Sequence, residues 1–505
     1  MRYKNPIIPG FHPDPSICRK GDDFYLVTSS FEYFPGVPIF HSRDLINWRQ
    51  IGHCLTRKSQ LPLEKAWASG GIFAPTIRYH GGKFYMVTTN VSGFGNFFVT
   101  ATDPAGEWSD PVMLPIGAID PSLFFDDDGK VYLTGTERVE GKPGISQSEI
   151  DIETGKQLSQ TKHIWDGTGG RYPEGPHLYK INGMYYLLIS EGGTEYGHYV
   201  TIARSKSPWG PFESCPHNPI LTHRDTEDEI IQGTGHADLI QAVNGSWWLV
   251  FLAYRMTAPY FHHLGRETFL APVSWDKDGW PIIGNKGRVS LEMEADLLAP
   301  HSFEKEDSRD DFDEDKLKLC WNFLRNPRED SWSLRDRPSW LCLRGLETSL
   351  SDIGSPALVC RRQQHFDCQA TSLLDFKPTR DGEEAGLAVY VNDEHHYEVA
   401  LTMIEGERCV IVRRTVGDLS AIVAKERAQD KSLVLQIRAD KDHYYLGYGY
   451  NKDQLKIIAK GYTKLLAKEV TFNGFTGAMF ALYATGNGKP CTSPAYFDWF
   501  DYEYK

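Results

Sequence analysis

Five short segments of this chain resemble one another, and that repeat limits the fold more than any other feature. They are GDDFYLVTSS from Gly21, GGKFYMVTTN from Gly81, DGKVYLTGTE from Asp128, NGMYYLLISE from Asn182 and NGSWWLVFLA from Asn244. Each is a turn signal followed by a β-rich run, which reads as the second strand of a hairpin. The aromatics Tyr25, Tyr85, Tyr132, Tyr186 and Trp248 recur at spacings of 60, 47, 54 and 62 residues. A period of about 50 residues with no helical periodicity predicts four-stranded propeller blades. The segments NWRQIGHCL from Asn47, EWSDPVML from Glu107 and PWGPFESCPHNPIL from Pro208 follow three of the hairpins, each like an outer-strand turn around a tryptophan. The first part of the chain, residues 1–300, is therefore expected to be a five-bladed β-propeller.

The same repeat aligns a second set of positions. Upstream of the hairpins lie PDPSI, APTIR, DPSLF, EGPHL and HADLI, which begin informatively at Asp14, Ala74, Asp120, Glu174 and His236. Each precedes its hairpin aromatic by 11 or 12 residues. Equal offsets put the five at equivalent places, where the innermost strands surround the central axis. Three carboxylates and one histidine should then face one another across one mouth of the channel.

Crowded like charges are costly, so three converging acids need a reason. A calcium site would take about six to eight oxygen ligands, often from one loop, and none of these acids sits in such a loop. Acid/base catalysis needs one carboxyl protonated and another ionised. Glycoside hydrolysis uses such a pair across the scissile bond, and a third acid can tune the proton donor. The rival reading is a sugar-binding propeller without turnover, for which a mutually repelling triad has no use; inertness towards xylobiose would favour it.

The motifs carrying these acids resemble those of a known family. FHPDPS at 11–16, AIDPSLF at 118–124 and YPEGPHLYK at 172–180 look like the three catalytic motifs of glycoside hydrolase family 43, and SSFEYFPGVPIFHSRDL, GGIFAPTIRYH, ATDPAGEWSDPV and GTGHADL are similar to further family segments. The resemblance implies a propeller enzyme that inverts configuration, with Asp14 as general base, Asp120 as pKa modulator and Glu174 as general acid. It implies an exo-acting β-xylosidase releasing xylose from the non-reducing ends of xylo-oligosaccharides, with α-L-arabinofuranosidase activity as the nearest alternative. Where the family's xylosidases often carry tryptophan, this chain has Phe73, which leaves the choice of sugar open.

Around the acids, His236 shares the repeat position and is a candidate to bond sugar hydroxyls or orient an acid. Arg266 in LGRETFL matches a family arginine that contacts the sugar. Phe31, Trp67 and Phe73 are candidate stacking walls. The run Asp126–Asp127–Asp128–Gly129 lacks the closing glutamate of a calcium loop, and Gly167–Thr168–Gly169–Gly170 lacks the lysine of a phosphate loop. His395 and His396 fall on opposite faces of a strand-like segment, which argues against a metal site. No cofactor is required; a structural calcium ion is compatible with the sequence but not indicated by it.

Residues 301–315 form an acidic linker, and 316–505 read as short alternating strands: Leu433, Leu435, Ile437 and Ala439 share one face, as in an antiparallel β-sandwich. The whole chain is thus expected to be all-β. In similar enzymes a loop of this domain narrows the pocket, and GFTGAMFALYA at 474–484 is the matching segment, with Met479 and Phe480 as the side chains expected to reach in. A net charge of −13 would repel phosphate backbones, so nucleic acid is not an expected partner. No stretch approaches the roughly 18 apolar residues of a membrane span. The partner is a small oligosaccharide, and a homo-oligomer is compatible with the sequence. Nine cysteines, an odd number without a CxxC, indicate neither a disulfide framework nor a zinc site. With no secretory h-region in MRYKNPIIPGFHPDPS, a cytoplasmic location is expected.

Overall fold

The computed structural model describes residues 2–114, 117, 119–139, 141–226, 229–257, 260–304, 307–471 and 474–505. The chain is all-β, with three short 3-10 turns and no α-helix among the described residues. No helix is long and apolar enough to cross a membrane.

Each repeated segment forms the hairpin between the first and second strands of a four-stranded antiparallel sheet. The first strands are Ser16–Lys20, Thr76–His80, Ile119–Phe125, Glu174–Ile181 and Ile231–Gln241, one to a blade. A short strand, Leu221–Thr222, adds to the fourth blade. The turn residues that marked the repeat carry positive φ: Gly21, Gly81 and Gly82, Gly129, Asn182 and Gly183, and Gly245. Tight hairpins demand that conformation, and glycine and asparagine adopt it at least cost.

The ring closes through the N-terminal segment, which runs along the fifth blade. Arg2–Lys4 pairs with Glu292–Glu294. The Asn5 amide donates to the Leu270 carbonyl at 3.0 Å and accepts from the Leu270 N–H at 2.9 Å. Ile8 bridges Thr268.

The remaining strands build a sandwich of two antiparallel sheets. One contains Ala357–Arg362, Met479–Thr485, Glu384–Asn392, His395–Ile404, Glu407–Val416 and Leu419–Arg427 in that spatial order. The other is centred on Cys368–Phe376 and Ala495–Tyr504. Within the acidic 301–315 run, Arg309–Asp310 pairs with Ala495–Tyr504, while Lys305 and Glu306 lie outside the described residues.

The six-stranded sheet is mostly buried on both faces from Ala357–Arg362 to Glu407–Val416, while its edge strand Leu419–Arg427 is exposed. Val389, Phe480 and Leu482 point into the sandwich core. Tyr390, Met479, Ala481 and Tyr483 point the other way, into a cluster with Phe11, Phe31 and Tyr33 of the first blade. Two-residue alternation therefore corrects the expectation for Phe480. It is fully buried in the sandwich core, 5.9 Å from the Tyr502 ring, and does not reach the pocket. Met479 faces the propeller but is fully buried beneath it.

Candidate active site

The regular strand path breaks where the repeat placed the acids. Asp14, Asp120 and His236 have φ of 55°, 53° and 45°, and Gly175, next to Glu174, has 59°. Strand pairing slips between Ile119 and Ser122, between Glu174 and His177, and on both sides of Gly235. Left-handed backbone is costly for a residue with a Cβ, and a bulge interrupts alternation and re-aims a side chain. Repeated blade after blade, the device turns these residues towards one another.

Contacts join them into one network. Asp14, 4% exposed, accepts hydrogen bonds from the Ser29 hydroxyl at 2.6 Å and Arg266 Nη1 at 2.9 Å. His236 Nδ1 lies 3.7 Å from Asp14 Oδ1. The His236 ring packs on Gly175, whose N–H donates to Asp120 Oδ2 at 3.1 Å. Glu174, with 20% of its side chain exposed, has Oε1 3.1 Å from His198 Nε2. The glycines are required here. A Cβ at Gly175 would lie 3.0 Å from the His236 ring, and one at Gly235 would lie 2.0 Å from the His198 ring.

These surroundings push the carboxyls in opposite directions. Burial alone would raise Asp14, but the Arg266 charge, helped by His236 and the Ser29 hydrogen bond, brings it below the usual carboxylate range. Burial pushes Asp120 up to about 7, with the Glu174 and Asp14 charges adding to the rise against the pull of His236.

Three rings cluster next to Arg266, which holds Asp14. Phe31 and Phe73 lie 5.4 Å apart, and Phe475 of the sandwich stacks 5.8 Å from Phe31 and meets Phe73 edge-on at 5.9 Å. Phe31 is only 2% exposed and backs the other two, which are half-buried. The Arg266 guanidinium carbon sits 5.7 Å from the Phe31 ring and 5.5 Å from that of Phe475. Trp67 stands at the rim, 51% exposed, its ring laid on Gly70.

Phe475 is held from both sides. Its N–H donates to the Ser69 hydroxyl at 2.8 Å, and its carbonyl is 3.4 Å from Arg266 Nη2. The flanking chain is fastened to the fifth blade: Lys468 N–H to the His262 carbonyl at 3.0 Å, and Ala478 N–H to that of His263 at 2.8 Å. A Cβ on Gly477 would lie 2.2 Å from the Leu264 oxygen, so the two backbones meet with no side chain between them.

One step further along the inner strands, Asp238 ties four blades together. It accepts from the Ser16 hydroxyl at 2.7 Å, Arg78 Nη1 at 2.8 Å and the Tyr179 hydroxyl at 2.6 Å. Arg78 Nη2 reaches His177 Nδ1 at 2.9 Å. Among the described residues, no group of three or more His, Cys, Asp or Glu is arranged to hold a metal ion.

The family model for glycosyl hydrolases family 43 matches residues 3–281, more than half of the chain, and the model for the β-xylosidase C-terminal concanavalin A-like domain matches 309–503. The chain belongs to glycoside hydrolase family 43. This family 43 chain is 44% identical to a non-reducing-end α-L-arabinofuranosidase of Bacteroides ovatus, over 99% of its own length and 94% of the relative's. It is 36% identical to a β-xylosidase of Bacillus subtilis, over the whole of both. A crystal structure of a xylan β-1,4-xylosidase from Bacillus halodurans superposes with a TM-score of 0.94 at 38% identity, covering 99% of this chain and 100% of that one.

Three neighbours of the family 43 acids were not legible beforehand. Ser29 lies in the SSFEYF motif but has no counterpart across the repeat. His198 stands alone before the third strand of its blade. Phe475 comes from a loop whose only signal was its place in the 474–484 segment.

Proposed function

We propose that the chain is an inverting, exo-acting β-xylosidase that releases xylose from the non-reducing ends of β-1,4-xylo-oligosaccharides. The observation that carries this reading is the opposite displacement of neighbouring carboxyls: Asp14 is driven towards its ionised form, while Asp120, beside Glu174, is raised to about 7. The Glu174 charge adds to the rise that burial produces at Asp120, so the two carboxyls act on each other. Glu174, with 20% of its side chain exposed, is the general acid that gives a proton to the glycosidic oxygen as the bond to the anomeric carbon breaks. Asp14 takes a proton from the water that attacks the opposite face. Asp120 sits beside that acid as its modulator, and Arg266 keeps Asp14 ionised and oriented. Phe475, entering from the sandwich, narrows the approach and favours a terminal sugar.

Proton NMR of the first product tests the mechanism: the inverted anomer is expected, and retention would overturn Asp14 as the base. The second reading, α-L-arabinofuranosidase, is favoured by the activity for which the 44%-identical relative is named. Paired kcat/KM values on an aryl β-xyloside and an aryl α-L-arabinofuranoside decide between them. A cytoplasmic location goes with this reading, supported by seven buried cysteine thiols that suit a reducing compartment.

A further inference from the structure

The sandwich face that packs on the propeller changes character along its length. Near the propeller it is apolar, with Met479, Ala481 and Tyr390. On the same face the alternation also presents Glu384 and, on neighbouring strands in register with Ala388, Glu398 and Arg413. Both glutamates are 1% exposed. Arg413 grips Glu384 with two bonds, Nη1 to Oε1 at 2.8 Å and Nη2 to Oε2 at 2.7 Å, and the Tyr483 hydroxyl donates to Oε1 at 2.7 Å. Glu384 is therefore fully served.

Glu398 is not. Its Oε1 lies 2.7 Å from His396 Nδ1, but Oε2 accepts no hydrogen bond and is 3.8 Å from Arg413 Nη1. A buried carboxylate oxygen without a donor is costly. Beside it opens a cavity of about 240 Å³, lined by Ser349, Ser351, Ser420, Thr485 and Asn487 as well as the charged groups. At about 30 Å³ for each water in the liquid, the space exceeds what one or two waters fill. None of its lining residues comes from the propeller.

We infer that this cavity is a second, non-catalytic binding site for a neutral monosaccharide. Two carboxylates against one guanidinium repel anions, and no metal-holding group is present among the described residues. A polyol suits the lining on both counts. Its hydroxyls donate to Glu398 Oε2 and accept from the Asn487 amide and serine hydroxyls, while Leu350 offers an apolar contact to its C–H face.

The test is equilibrium dialysis of the full chain against D-xylose and L-arabinose, with glycerol and ammonium as competitors. Two sugars per chain are expected for the wild type and one for Glu398→Gln. Ser420 is exposed at the cavity mouth, so Ser420→Tyr closes the site without disturbing the buried charges, and it decides the matter if Glu398→Gln does not fold. Its expected stoichiometry is also one, with kcat/KM on a small aryl glycoside unchanged. A stoichiometry that Ser420→Tyr leaves unchanged, or displacement by ammonium but not by glycerol, would overturn the inference; one sugar per wild-type chain that falls to none in Ser420→Tyr would uphold this site and count against the active-site reading instead. The readout does not depend on turnover, so it stands or falls separately from the proposed catalytic reaction.

Discussion

The inner strand Ile231–Gln241 of the fifth blade and the sandwich strand Met479–Thr485 are both buried, yet they treat their side chains differently. The first breaks register twice and carries His236 in left-handed backbone. The second pairs with both neighbours without a shift, and its residues alternate strictly between two apolar clusters. Regular alternation serves packing: every side chain is committed to one face or the other. Chemistry enters where alternation is interrupted, because only there is a side chain turned out of the sheet's own packing. The propeller interrupts itself in several blades at equivalent places, and the sandwich strand does not.

The largest expected consequence falls on Glu174. Glu174→Gln should lower kcat/KM on xylobiose by about 10²–10⁴-fold and spare aryl glycosides with acidic leaving groups far more. Equal losses on both would show that the strand break at Glu174 does not present a proton donor.

Next comes a pair five residues apart. Phe480→Ala empties a core position and should cost about 3–5 kcal/mol of stability, read by denaturant unfolding, while the folded fraction keeps its kcat. Phe475→Ala should do the reverse: near-normal stability and about a tenfold loss in kcat/KM, the worth of an aromatic contact of about 1–1.5 kcal/mol. If both variants lost only stability, the sandwich would be packing alone and the contrast would extend to its loops.

Asp120→Asn separates strain from catalysis. Between its ordinary 3.8 and about 7, the folded chain holds a proton at Asp120 that the unfolded chain releases. This contribution favours the folded state at acid pH and is lost as pH rises through 7. Asparagine removes the burden of burying the ionised form, so Tm should rise at pH 8 and stay unchanged at pH 4. Activity should fall, with the basic limb of kcat/KM moving to lower pH. A Tm difference equal at both pH values would mean that Asp120 is not held protonated.

The smallest effect is expected at the rim. Trp67→Ala should change stability by less than about 0.5 kcal/mol and raise KM for oligosaccharides by about threefold, as for one lost stacking contact, with kcat unaltered.

What was legible beforehand follows the same division. The repeat offsets located Asp14, Asp120, Glu174 and His236 because blade symmetry makes equal spacing equal position. Arg266 came from a motif, not from spacing, and it lies against Asp14. The sandwich class was readable from alternation, but the sandwich side chain that lies against Arg266 was not. Strand residues Met479 and Phe480 look the part in sequence, whereas Phe475 is placed by Ser69, Arg266 and, through Gly477, Leu264, partners hundreds of residues away in the chain. His198 was invisible for a related reason: its position depends on Gly235 having no side chain, and a glycine does not announce what fills the space beside it.

The wall supplied by Phe475 sets a timetable for the growing polypeptide. During synthesis, Asp14 leaves the ribosome more than two hundred residues ahead of His236, with Arg266 and lastly Phe475 behind it. A nascent chain carrying all three acids still lacks the guanidinium that ionises one of them and the ring that closes the approach. Full competence therefore waits for Phe475, the last of these residues to be made, and shorter nascent chains lack its contribution.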